Sequence, residues 1–427
     1  MTSSTAVGPP PSATPQPATP QPAAELPEPP LPAPLERKAA LRRFRAPALI
    51  AVALLCAGYL RTAPGTAYAA PWGYRAWSFG ALAYSDILAL HADRGGGRHR
   101  LPYVEDKIEY PVLLGVGMWL PSVVAPDRPG YFALTYLLLA VCGLGTLFAI
   151  SLLPGTAPWL FAASPVLLVY APLNWDLFAV LPLALGLWAW AAGRERAAAA
   201  LLAVAVCTKL FPVVALFLLV ACALRRGVRH ALELAGIALL VALVVNLPFA
   251  LGAPQTRENW AWFFVYSRIR EIEPSLYSLF GADAHGFVPA ANLISTASTG
   301  LAMLGLLTVE LRTRRLAVPQ ALLLLLCVVL IGSKVYSPQY WIWAVAGLAF
   351  AGAPASLGVL AGAMALVDYA SSFTSLHLQM QRIGQITSWY QERLFWPIVS
   401  LRYAVLVACA LWALQSVRFP PPARPRV

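Results

Sequence analysis

The sequence predicts an all-α polytopic membrane protein, and three observations carry that prediction. Only 12% of the 427 residues are charged and 59% are hydrophobic, against about 25% charged in an average soluble domain. Apolar runs follow one another with short polar turns between them, and mean hydropathy is +0.66, so a length-based division into soluble domains does not apply. Arginines recur in those short turns: Arg194 and Arg196, then Arg225, Arg226 and Arg229, then Arg312, Arg314 and Arg315, then Arg418, Arg424 and Arg426. That spacing is the positive-inside pattern of a multi-pass chain. It also accounts for the net charge of +12, so membrane lipids and not nucleic acid are the expected surroundings.

Taken in order, residues 1–35 are rich in Pro and Ala. They carry too little apolar surface to offset chain entropy and read as a disordered cytoplasmic tail. The basic run from Glu36 to Arg45 precedes an apolar stretch, Ala46 to Leu60, that ends at Arg61. We expect an uncleaved first span with a cytoplasmic N-terminus and with Arg61 snorkelling at its outer end. The stretches Trp72 to His91 and Tyr110 to Val124 are short or mixed, with Trp and Tyr at their edges. They suit two interfacial helices in one outer loop, joined by a solvated connection from Asp93 to Lys107.

Further spans are expected at Tyr131–Ser151, Pro158–Ala171, Asp176–Ala192, Ala197–Cys207, Phe211–Leu224, Ala231–Leu251, Val288–Val309, Ala317–Ile331, Tyr340–Ala351, Ala355–Val367 and Pro397–Leu414. Several fall short of the about 20 residues a full crossing needs. Short helices meeting at polar turns are tolerated where the turn is buried in protein or lines a wet cavity. The count is about twelve crossings, with both termini inside. The membrane domain is then 36–417, with a cytoplasmic tail at 418–427.

The six cysteines all lie in apolar runs and the five histidines are scattered, so neither a disulfide framework nor a metal site is expected. No Gly-rich phosphate loop appears, and no soluble stretch is long enough for a nucleotide-binding domain, so no cofactor is expected.

On this topology several polar groups reach the outer face together. Asp86, in Tyr84-Ser85-Asp86, is a carboxylate between apolar flanks. Such a group is costly unless solvated or paired, and it suits either a helix cap or a general base with a raised pKa. Glu109-Tyr110-Pro111 suits a helix start or a hydroxyl-positioning pair. Asn174-Trp175-Asp176 brings a second carboxylate. Lys209 interrupts an apolar run and either snorkels or contacts a phosphate as a point charge. Arg268 and Arg270 suit a bidentate phosphate clamp or a solvated loop. The run Ser333 to Tyr340 adds Lys334, Ser337, Gln339 and Tyr340 as donors for a sugar. Asp368 ends an apolar run and is expected at the outer surface.

Tyr84-Ser85-Asp86-Ile87, Pro102-Tyr103, Glu109-Tyr110-Pro111, Asn174-Trp175-Asp176, Lys209-x-x-Pro212 and Ser337-Pro338 stand in this order. The set resembles glycosyltransferase family 87, which has the GT-C membrane fold and includes polyprenol-phosphate-mannose-dependent α-mannosyltransferases of actinobacteria. The resemblance spans about Pro47 to Leu414. It implies a polyprenyl-phosphate-sugar donor and inversion at the anomeric carbon without a nucleotide; with the topology above, the expected reaction is transfer to a lipid or glycan acceptor at the outer face of the plasma membrane. It also implies that Asp86 is the base, because Asp86 matches the acidic residue of the family's first outer loop. Lys209 with Arg268 or Lys334 would then hold the lipid phosphate. Tyr84, Glu109, Tyr110, Asn174, Asp176, Ser337, Gln339 and Tyr340 would line the sugar or acceptor site.

Two positions depart from the family's pattern. Val112 stands where a second Pro is frequent. Gln339-Tyr340-Trp341 follows Ser337-Pro338, where the mannosyltransferases tend to carry His. The competing expectation is a transporter or flippase of lipid-linked sugars, which calls for polar groups at both faces and repeat symmetry between halves.

Overall fold

The computed structural model describes residues 31–68, 70–93, 100–281 and 285–418. Most of the expected N-terminal tail, nearly all of the C-terminal one and part of the Asp93–Lys107 connection lie outside these residues. The fold is all-α, with no β-strand among the described residues. It is a multi-pass membrane architecture: among the described residues six helical segments are long and apolar enough to cross a bilayer.

Helix α1 (Arg37–Thr62) absorbs the basic run as well as the apolar one. Two short helices follow, α2 (Pro71–Gly80) and α3 (Asp86–Asp93), then α4 (Val112–Val124) and the long α5 (Arg128–Leu152). The stretch expected as one span at Pro158–Ala171 is two pieces, α6 (Pro158–Ala162) and α7 (Val166–Val169). Pro165 explains the break, because its ring disfavours helical geometry at Ser164 and it has no amide to donate. Next come α8 (Leu177–Ala191), α9 (Glu195–Thr208), α10 (Val213–Ala223) and α11 (Val228–Ala250). Then follow α12 (Pro254–Ile269), α13 (Leu276–Leu279), α14 (Val288–Thr313), α15 (Val318–Gly332) and α16 (Trp341–Ala351). Helix α17 (Ala355–Gln381) runs well past Val367, and a π turn joins α18 (Gly384–Tyr390) to α19 (Trp396–Arg418).

The hairpins gather polar residues at two opposite ends of the bundle. Helices α8 and α9 turn at Gly193, whose φ of +72° is the left-handed region that glycine enters without steric cost. Helices α9 and α10 turn back at Lys209, and the return leg brings Arg226 to Glu195 at 2.7 Å. That basic end also holds Arg43, which donates to the carbonyls of Leu153 (2.6 Å) and Thr156 (2.7 Å) beyond the end of α5. Arg225 and Glu310 form a buried pair there, with Arg225 Nη2 at 2.7 Å from Oε2. The Gly352 turn lies against the Gly155 carbonyl so closely that a Cβ would collide with it.

Two charged residues differ from expectation. Arg61 does not snorkel: it donates to the carbonyls of Leu82 (2.5 Å) and Val169 (3.3 Å) and lies over the Tyr369 ring. Those carbonyls, left without helical partners by the breaks at α2–α3 and after α7, are better partners than a distant headgroup, and the Leu82 carbonyl also accepts from the Tyr369 hydroxyl at 2.9 Å. Asp368 is not at the surface: it is fully buried inside α17 and paired with Arg402 of α19. A single charge in an apolar run is compatible with either place. The complementary charge on α19 makes the interior tolerable.

Candidate active site

The end opposite the basic one is built on the segment Pro172–Asp176, where the chain passes from α7 into α8. Ser85 Oγ donates to the Pro172 carbonyl at 2.5 Å and the Asp86 amide to the Leu173 carbonyl at 2.8 Å. The start of α3 is thereby strapped beside Asn174. Asn174 Nδ2 donates to Asp86 Oδ2 at 2.7 Å, and its Oδ1 accepts from Lys209 Nζ at 3.2 Å and from the Trp175 amide at 2.7 Å. Lys209 Nζ in turn lies 2.8 Å from Asp176 Oδ1, which also accepts from Trp343 Nε1 at 2.7 Å. A polar relay therefore runs Asp176–Lys209–Asn174–Asp86.

The local sequence explains the placement. Helix α9 ends at Thr208 because Lys209 is extended (φ −149°, ψ 148°), and Pro212 starts the next leg. The break turns the ammonium inward to a carboxylate. Its positive charge also sits over the rings of Tyr110 (5.6 Å) and Trp343 (5.9 Å). Lys209 thus neither snorkels nor stands as a free point charge. It neutralises Asp176 at a depth where an uncompensated carboxylate would be costly. The second oxygen, Asp176 Oδ2, is buried without a hydrogen-bond partner, as is Trp175 Nε1.

Asp86 is held by Asn174 and by a hydrogen bond with the Tyr84 side chain. Burial pushes its carboxyl above the ordinary value. The Asn174 and Tyr84 hydrogen bonds and the charges of Lys209 and Arg270 oppose that rise. The carboxylate serves this relay, not a helix cap of its own.

Beside the relay opens a cavity of ≈ 850 Å³. Glu109, Tyr110, Lys209, Tyr340 and Trp343 line it, as do three cations, Arg268, Arg270 and the buried Lys334, which make up its cationic rim. Helices α14 and α15 add the apolar Leu293, Val329 and Leu330 to the lining, beside the polar Asn292, Ser295 and Thr296. Tyr340 and Trp343 stack at 4.2 Å and Phe211 stacks on Trp343 at 3.9 Å, which makes an aromatic floor. Arg270 is paired with Glu273 (Nε to Oε1 2.8 Å), and Lys334 Nζ donates to the Arg268 carbonyl at 3.0 Å. Burial lowers the Lys334 ammonium below its usual value, and the neighbouring Arg270 adds to this.

The expected residues therefore divide into two shells. Glu109, Tyr110, Lys209, Arg268, Lys334 and Tyr340 line the cavity, whereas Asn174, Asp176, Tyr84 and Asp86 sit outside that lining. Asp86 is close enough to feel the Lys209 and Arg270 charges. Ser337 and Gln339 do not line the cavity, and Gln339 is buried in the Pro338–Tyr340 turn. Residues three apart share a helical face, so Tyr340 and Trp343 turn to the cavity together and Gln339 does not. The Trp343 contribution was not anticipated, because a Trp beside a Tyr reads as interfacial belt. Among the described residues no group of three or more His, Cys, Asp or Glu could hold a metal.

No family model and no curated protein matches this chain.

Proposed function

We propose that this protein is a membrane glycosyltransferase of the GT-C type, related to glycosyltransferase family 87. It would move a hexose, mannose by the family resemblance, from a polyprenyl-phosphate donor to a lipid or glycan hydroxyl at the outer face of the plasma membrane. One observation carries the reading. A carboxylate with a raised pKa, Asp86, is fixed by Asn174 and Tyr84 within electrostatic reach of a cation-rimmed cavity that has an aromatic floor and a lining of mixed apolar and polar side chains. Cations suit a phosphate, an aromatic face and hydroxyl or amide groups suit a sugar, and the apolar side chains suit a lipid chain.

In the proposed step the acceptor hydroxyl meets Asp86 beside the cavity, outside its lining, and Asp86 accepts the proton as that oxygen attacks the anomeric carbon. The new C–O bond forms on the face opposite the breaking one, so the configuration inverts. The electron pair of the broken bond goes to the leaving phosphate oxygen, where Arg268, Arg270 and Lys334 offset its charge. Tyr340 presents its ring to the sugar, backed by Trp343, which is stacked between Tyr340 and Phe211. Lys209 keeps Asp176 neutralised and Asn174 oriented, and so acts on Asp86 through the amide.

The reading counts about twelve crossings: six helices are long and apolar enough by themselves, and the shorter apolar ones would cross where they are packed in protein. Arginine at one end and the cavity at the other support cytoplasmic termini and an outward site.

The test uses protein in proteoliposomes given labelled polyprenyl-phosphate-mannose and then other polyprenyl-phosphate sugars. Label arriving on an acceptor supports the transferase. Label that crosses the bilayer still attached to its polyprenyl carrier contradicts it and favours a transporter.

A further inference from the structure

The buried pair Asp368–Arg402 lies outside the cavity lining, yet it joins the two segments that bring cations to the rim. Arg402 is 1% exposed. Its Nη1 lies 3.1 and 3.3 Å from the Asp368 oxygens, and its Nη2 donates to the Pro274 carbonyl at 2.7 Å. The guanidinium also lies over the Tyr336 ring at 4.1 Å. Pro274 follows Glu273, the partner of Arg270. Tyr336 follows Lys334 by two residues. The two segments meet again where the Glu273 amide donates to the Lys334 carbonyl at 3.2 Å. Asp368 completes the arrangement by accepting from Trp341 Nε1 at 3.0 Å, next to Tyr340 of the aromatic floor.

We propose that Arg402 is a positioning residue that sets the spacing of Arg270 and Lys334, and through them the affinity of the rim for a lipid phosphate. A purely structural pair would need only its two charges. Here the second guanidinium nitrogen and the ring stacking are spent on the two cation-bearing segments. A lysine could satisfy Asp368 but could not also reach Pro274 with a planar fork. The inference rests on the lipid-phosphate reading of the cavity.

The experiment uses the full-length protein in detergent micelles with decaprenyl phosphate as the probe. Two variants are compared with the wild type, Arg402→Lys and Asp368→Leu/Arg402→Leu. The double variant removes both charges together, so neither is left buried alone. We expect amide hydrogen exchange to quicken in 270–279 and 333–340 in both variants, while α17 and α19 stay protected and melting stays within a few degrees of the wild type. The Kd for decaprenyl phosphate should rise roughly tenfold, the size expected when charge-assisted contacts are misplaced. In turnover, KM for the donor should rise with kcat held. Unchanged exchange in both segments, or unchanged affinity, would overturn the proposal. Failure of the wild type to bind decaprenyl phosphate would instead contradict the lipid-phosphate reading, and exchange would still decide whether Arg402 anchors the rim.

Discussion

Asn174 donates to Asp86 from one end of its amide and accepts from Lys209 at the other, at 2.7 and 3.2 Å. The two partners fix which end is nitrogen and which is oxygen. A charge deep in the bundle is thereby coupled to the carboxylate proposed as base, without touching it.

The first prediction concerns pH. The working form of Asp86 is the carboxylate, and its pKa lies above the ordinary 3.8 because of burial. Activity is therefore present above that raised pKa and is lost as pH falls through it. The Asn174 hydrogen bond holds the pKa down, so Asn174→Leu should move the acidic limb of the kcat profile to higher pH. Lys209→Met should move it the same way, since its positive charge also lowers the Asp86 pKa. A pH–rate series on each variant checks the direction. An unmoved limb in both would separate the relay from the base.

Lys209→Met should also destabilise the fold, because it leaves Asp176 buried and uncompensated; breaking such a pair costs about 3–5 kcal/mol. Adding Asp176→Leu should recover most of that loss. Melting in detergent compares the single and double variants, and equal melting of the two would show that Asp176 finds another partner.

The Arg225–Glu310 pair sits at the far end of the bundle, where Glu310 also accepts from the Leu316 amide at 3.2 Å. Glu310→Ala should lower stability by about 3–5 kcal/mol for the same reason. The transfer rate per folded molecule should stay at the wild-type value. A stability loss accompanied by a changed donor KM would mean that the two ends communicate.

Neutralising the rim should weaken donor binding and leave the chemical step less affected. Arg270→Met and Lys334→Met should each raise the donor KM by roughly tenfold, the scale of a lost charge-assisted contact. Added salt should weaken the wild type more than either variant, because fewer charges remain to be screened. Initial rates across donor and salt concentrations provide the check.

Much of this was legible in the sequence because polar residues in apolar surroundings identify themselves. Lys209, Asn174 and Asp86 were each costly where they stood, and the structure makes them one another's partners. What the sequence concealed were choices between equally costly placements. Arg402 and Asp368 lie 34 positions apart, each a lone charge in an apolar run. Nothing short of packing α17 on α19 says that they neutralise each other. Gln339 illustrates a different loss: its donors suited a sugar, but the turn into α16 points its neighbours Tyr340 and Trp343 at the cavity instead. The helix breaks at Pro165 and Lys209 follow local rules, whereas α17 runs on to Gln381 with Asp368 inside it, where the charge is met by Arg402 of another helix.

The central claim is that Asp86 removes the acceptor proton, and Asp86→Asn tests it most directly. The amide keeps the size of the side chain and loses the base. Transfer of labelled mannose from polyprenyl phosphate should fall by roughly 10²–10⁴-fold, with decaprenyl phosphate bound as tightly as by the wild type. Transfer at near the wild-type rate would contradict the assignment of Asp86 as base.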